Sequence, residues 1–205
     1  MGKLDEKKKL KRESLLGAAF TLFASKGIND TSISDIAKRA NMAKGTFYLY
    51  FKDKFDLRDK LIAAKANVLF HRAAEELEKQ PVTELEDKVV FIADHIINQL
   101  NGDKILLKFL SKNLSSGVFR NTLFGQGEAG EYSFYDGYTL LLEQSGRKFH
   151  NPDLMLYMIV ELISSTCYSV ILYQHPVTLD KLKPELYNAI RDMIKRQEIT
   201  DGEML

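Results

Sequence analysis

Residues 42–51 read MAKGTFYLYF, and this stretch holds the side chains best suited to chemistry. On a helical wheel at about 100° per residue, Phe47 and Phe51 share one face, while Lys44, Gly45, Tyr48 and Leu49 share the other. Thr46 and Tyr50 fall on the flank. An exposed aromatic ring beside a lysine and a glycine suits a helix laid in the major groove of DNA. The ring meets thymine methyls or sugars, lysine meets guanine or phosphate, and glycine permits close approach. The competing reading is that Tyr48 and Tyr50 pack against the helix that follows.

Such a helix needs a scaffold, and the residues before it supply one. Ser32 can cap a short helix to about Ala40, with Asp35, three residues on, as the other half of a capping box. Ile36 and Ala40 face inward, and Ala37 is small enough for close helix approach. Asn41 sits at the bend, where asparagine is the best tolerated residue after glycine in a left-handed conformation. Upstream, a helix from about Lys7 to Ser25 buries Leu15, Leu16, Ala19, Phe20 and Phe23, and Gly27 ends it. Two short helices and a tight turn in this order are a helix-turn-helix.

Charge agrees with this division. Residues 1–54 carry 12 Lys and Arg against 6 Asp and Glu, a net +6, whereas residues 55–205 are net −5, so the overall +1 hides a basic end that suits a polyanion.

The remaining chain shows helical spacing nearly throughout, which makes the expected fold class all-α: a three-helix head (1–54) joined to a helical body (55–205) by one long helix, Phe55 to Lys79. Thr83 and Glu86 are placed as a capping box for a helix through Leu100, and Lys104 to about Leu114 reads as the next. From Ser115 to Gly137, five glycines and five aromatics interrupt the pattern, with Tyr138 a sixth just beyond; helix is expected to resume by about Tyr132 and stop at Gly146. Asn151-Pro152-Asp153 opens the apolar helix that continues to Tyr173. Pro184 is placed to open the last helix, to about Gln197.

The helix Leu154–Tyr173 has the length of a membrane span. Glu161, Ser164, Ser165 and Thr166 interrupt it, and burial between other helices is the preferred reading. With Pro184–Gln197 it is expected to pair with the same two helices of a second chain. Aromatic candidates for a small-molecule pocket are Phe91, Phe109, Phe119, Phe124, Tyr135, Tyr138, Tyr157 and Tyr168; apolar walls with a few hydroxyls describe both ligand sites and ordinary cores. Glu161 reads either as a counter-charge for a cationic ligand or as a partner of Arg191, Lys195 or a serine across a dimer contact.

Enzyme chemistry finds little support. His71, His95, His150 and His175 are isolated, no His or Cys pair has metal spacing, and the single cysteine, Cys167, lies mid-helix among apolar residues. No cofactor or metal is expected. One cysteine and no charged-then-apolar leader point to a reducing, cytoplasmic setting.

The head resembles the tetracycline-repressor-like (TetR) family of transcriptional regulators. The resemblance rests on Ala18-Ala19-Phe20 with Leu22-Phe23 and Gly27, on Thr31-Ser32-Ile33-Ser34-Asp35-Ile36-Ala37, on Ala43 through Phe51, and on Lys54 followed by Leu57. It implies a homodimer whose heads enter successive major grooves of a near-palindromic double-stranded operator. The body would pair the subunits and hold a small apolar or aromatic ligand that releases the DNA. Lys44, Gly45, Tyr48 and Leu49 match positions that approach bases; Thr31, Ser32, Thr46, Tyr50 and Lys54 match positions that touch phosphates. The alternative is an interaction protein of the same fold that has lost specific DNA binding.

Overall fold

A computed structural model describes residues 3–111 and 133–200. Among them lie nine helices: α1 (Lys3–Lys26), α2 (Ile33–Arg39), α3 (Lys44–Phe47), α4 (Lys54–Leu77), α5 (Leu85–Gly102), α6 (Lys104–Leu110), α7 (Phe134–Ser145), α8 (Pro152–Tyr173) and α9 (Leu179–Gln197). The only extended pairing among the described residues is an isolated bridge between Phe149 and Glu198. Two compact units result, Met1–Ala64 and Lys65–Leu205, and α4 contributes residues to both.

The first unit is built as its sequence dictates. Leu15, Ala19 and Phe23 of α1 are buried with Ile36, Ala37, Phe47, Phe51 and Leu57, while Phe20 is only half-buried. Gly27 stops α1 in the left-handed region (φ 86°), donating its N–H to the Phe23 carbonyl. Ser32 and Asp35 form the reciprocal capping box of α2. Asn41 turns the chain at φ 55°, a conformation its short polar side chain tolerates.

In the second unit α9 packs on α8 and α5, and α5 also contacts α6, α7 and α8. Ile97, Leu107, Leu110, Met155, Ile190 and Ile194 form its driest interior. Asp103 caps α6 by accepting from the Leu106 N–H, and Asn151 caps α8 by accepting from Leu154 N–H, with Pro152 at the first helical position.

Two start signals act differently from expectation. Thr83 donates to the Glu84 carboxylate instead of capping α5, which begins at Leu85, and Glu86 is drawn inward to Arg147. A charge-assisted pair with arginine outcompetes a capping contact. The last helix begins at Leu179, with Pro184 inside it. The Lys181 and Leu182 N–H groups both reach the Thr178 carbonyl, so a helical turn already exists ahead of the proline, whose ring forfeits only one bond.

Candidate functional site

The helix-turn-helix is fixed from three sides. Lys26 of α1 pairs with Asp35 of α2 at 2.8 Å, and that bond, with the Ser32 N–H and hydroxyl, holds the Asp35 carboxyl down to about 2. At the turn, Met42 N–H donates to the Ala37 carbonyl at 2.9 Å, which tucks the entry to α3 against α2. Inside, Phe47 and Phe51 are 0% and 2% exposed, their rings 5.6 Å apart. Regular α-helix ends at Phe47, yet the Tyr50 and Phe51 N–H groups both bond the Phe47 carbonyl, so the helical turn carries on through Phe51 and the wheel holds.

The opposite face is open. Tyr48 is 52% exposed and Leu49 76%, and Lys44 and Gly45 are exposed beside them. Tyr48 touches the core only by its edge, 5.5 Å from the Phe47 ring. The packing alternative for Tyr48 therefore does not describe this structure. Tyr50 is half-buried with its ring 6.4 Å from Phe51, and Thr46 is half-buried; Ser32 is exposed at the start of α2. A Cβ placed on Gly45 would meet nothing within 4 Å, so no neighbour within the chain requires glycine there. Lys38 shares an open cleft with Ser34, Asn41 and Lys44 and adds a cation that motif reading passed over; its place in the last turn of α2, facing the bend, is the signal that could have found it.

Two expected phosphate-contacting residues face inward. Thr31 is 1% exposed, and its hydroxyl donates to the Gly27 carbonyl at 2.6 Å. The Lys54 ammonium donates to the carbonyls of Ile28, Asn29 and Thr31 at 3.0, 3.0 and 3.1 Å, which uses all three of its protons. Both therefore shape the loop before α2. A loop rich in unpaired carbonyls needs a donor, and the nearest long cation supplies it.

The second unit holds a partly open apolar pocket of about 90 Å³ among α4, α5, α7 and α8, lined by side chains including Leu69, Phe70, Ile92, Phe134 and Ile159. Of the sequence-derived pocket residues it contains Tyr138, whose hydroxyl donates to the Pro152 carbonyl at 2.8 Å. The others lie elsewhere. Tyr135 donates to Asp153 at 2.5 Å, which pushes its phenol up to about 12. Phe91 stacks on His95, and Phe109 is buried within α6. Leu154, Tyr157, Glu161, Ser165 and Tyr168 fall on one stripe of α8, with Leu154 and Tyr157 each 44% exposed, and within the chain Arg191 pairs with Asp87. Phe119 and Phe124 lie outside the described residues. Sequence reasoning missed Phe70 and Phe134; Gly137 in mid-helix was the available clue, because a Cβ there would sit 2.2 Å from the Phe70 ring.

Residues 15–61 match the sequence model described as bacterial regulatory proteins, tetR family. A fatty acid metabolism regulator protein of Bacillus subtilis is 34% identical over 98 residues, 48% of this chain and 50% of that protein, so the chain spans about half the length of this curated relative. A probable acrEF/envCD operon repressor of Escherichia coli is 25% identical over 157 residues, 73% of this chain and 70% of that one. Among solved structures, a TetR-family transcriptional regulator from Streptomyces coelicolor superposes with a TM-score of 0.64 at 16% identity, covering 91% of this chain and 99% of that one. FadR from Bacillus subtilis, in complex with stearoyl-CoA, does so with a TM-score of 0.61 at 22% identity, covering 88% and 98%. At these identities the two structures bear on fold alone. The capped α2, the left-handed Asn41 turn and the anchored α3 all lie inside the matched segment, so the likeness to the tetR family of bacterial regulatory proteins is carried by the head, residues 15–61.

Proposed function

We propose that the protein is a cytoplasmic, homodimeric regulator of transcription that binds a near-palindromic operator through its head and is released by a small molecule held in its body. The observation that carries the DNA-binding reading is the exposed set Lys44, Gly45, Tyr48 and Leu49 on a helix pinned by two fully buried phenylalanines. Glycine in a helix costs about 1 kcal/mol relative to alanine, and at Gly45 no internal contact offsets that cost. Close approach of a partner does. In this reading Lys44, Tyr48 and Leu49 face bases, Ser32, Thr46 and Tyr50 face phosphates, and Thr31 and Lys54 hold the loop in place. Residues 1–54 serve as the DNA-binding head and 55–205 as the body.

The outward stripe of α8 supports a dimer contact through the last two helices. Pro152–Tyr173 is long and apolar enough to cross a membrane, but its outward stripe carries the exposed Ser165 and the half-buried Glu161, which suit pairing with a second copy better than lipid. Release follows by linkage: a ligand that prefers the body arrangement incompatible with both half-sites weakens operator binding, and operator weakens ligand binding by the same factor. Repression is the favoured output because the Escherichia coli relative is named a repressor.

A gel shift with DNA from around the protein's own gene, repeated over a salt series, tests the reading. Saturable, sequence-dependent shifts whose affinity falls with salt are expected. Binding that ignores sequence would reduce the head to a basic patch.

A further inference from the structure

The pocket among α4, α5, α7 and α8 is apolar, small and partly open. Its one polar group, the Tyr138 hydroxyl, is spent on Pro152, so a water inside would lack the two to four partners it needs. An engineered cavity of roughly 150 Å³ stays dry and admits benzene. A space of about 90 Å³ takes less, on the order of three or four carbons.

Beside it lies an open cleft of about 580 Å³, and Phe70, Ile92 and Leu141 line both spaces. They form the partition. Phe70 is 3% exposed, meets Phe134 edge-on at 5.1 Å, and sits where a Cβ on Gly137 would be 2.2 Å from its ring. Its seat against α7 thus exists only because residue 137 is glycine, at the usual cost of a glycine inside a helix.

The cleft differs from the cavity in having a polar rim. Glu75 and Glu78 are exposed at the end of α4, where water solvates them. Lys88 of α5 is half-buried over the apolar floor, and among the described residues no carboxylate lies within ion-pair distance of it. A half-buried lysine with its stem along an apolar floor and no paired carboxylate offers its ammonium to an anion.

We propose that cavity and cleft are one binding site for an acidic amphiphile, with its unbranched apolar tail entering past Phe70 and its acidic head beside Lys88, and that Phe70 sets the length of tail admitted. This rests on the reading that the body binds an effector.

Calorimetric titration of the full-length protein with sodium alkanoates of four to twelve carbons tests it, with n-alkylamines and n-alkyl phosphates of matching length in parallel. Alkanoate affinity should rise about fourfold per methylene and then level off once the space behind Phe70 is filled. Phe70→Leu should move the plateau to longer tails. Gly137→Ala, which must displace the same ring, should also change the length preference, so the claim does not depend on one variant folding. Lys88→Gln should weaken alkanoates about tenfold and leave n-alkanols unchanged. Alkyl phosphates binding as well as alkanoates would support the shared acidic chemistry, and phosphates alone binding would narrow the head to that group. Equal affinity for alkylamines, absence of length dependence, or a plateau unmoved by both ring variants would overturn the proposal. A gel shift on the same preparation separates the two readings: specific DNA binding without alkanoate binding refutes this site alone, whereas loss of specific DNA binding refutes the regulator.

Discussion

Replacing Lys54 by methionine separates two roles that one side chain could hold. In the structure its ammonium bridges three carbonyls of the α1–α2 loop at 3.0–3.1 Å. Hydrogen bonds to a charged group contribute roughly 1.5–3 kcal/mol each. Asn29 is exposed, so water can replace its share, while the carbonyl of the buried Thr31 and that of the half-buried Ile28 lose most of theirs. With two bonds at the low end, and some relief from rehydrating the loop, Lys54→Met should destabilise the head by about 2–3 kcal/mol. For a unit of this size that lowers its melting temperature by roughly 10–20 °C. Far-UV circular dichroism melts suit a helical chain without tryptophan. The companion measurement is the salt dependence of operator binding below the melting range. Each lost phosphate contact reduces the slope of log K against log salt by about 0.9. Lys54→Met should leave that slope unchanged. A Lys54→Met protein of unaltered stability with a reduced slope would refute the internal role and restore the phosphate contact.

Three further outcomes follow from named contacts. Tyr48→Ala should leave the melting temperature within a degree or two, since the ring is half exposed, but weaken specific DNA binding about tenfold or more; Tyr50→Phe in the same gel shift reports whether its hydroxyl meets phosphate. Sedimentation at micromolar concentration should give a dimer, and Tyr157→Asp on the outward stripe of α8 should give monomers; a monomeric wild type would count against the pairing. Arg147 grips Glu86 and Glu198 in two bidentate pairs, and Glu86 is 8% exposed, so Arg147→Met should cost about 2–3 kcal/mol. The Arg147 hydrogen bonds hold the Glu86 carboxyl below its usual 4.5, so its contribution is complete above that pH and is lost as pH falls through the depressed value. The stability gap between wild type and Glu86→Gln should therefore be constant near neutrality and close under acid, and a gap independent of pH would refute the assignment.

What the sequence could reveal was local. Caps, turns and helical periods depend on residues within four positions of each other, which is why Ser32 with Asp35, Asn41, and the division of Phe47 and Phe51 from Tyr48 and Leu49 could all be read directly. The same reading could not see where a distant partner holds a side chain. Glu86 left its cap for an arginine 61 residues away, and Lys54 turned to carbonyls 23 to 26 residues back. The cavity was least legible, because which aromatic residues line it depends on how α4, α5, α7 and α8 rotate against each other. Periodicity fixes which face of a helix is apolar but not which neighbour that face meets. Sequence alone therefore determined an all-helical chain with a helix-turn-helix head. Only the tertiary structure decided that Phe70 and Gly137 meet, that Leu154 and Tyr157 turn outward, and that Lys54 holds a loop.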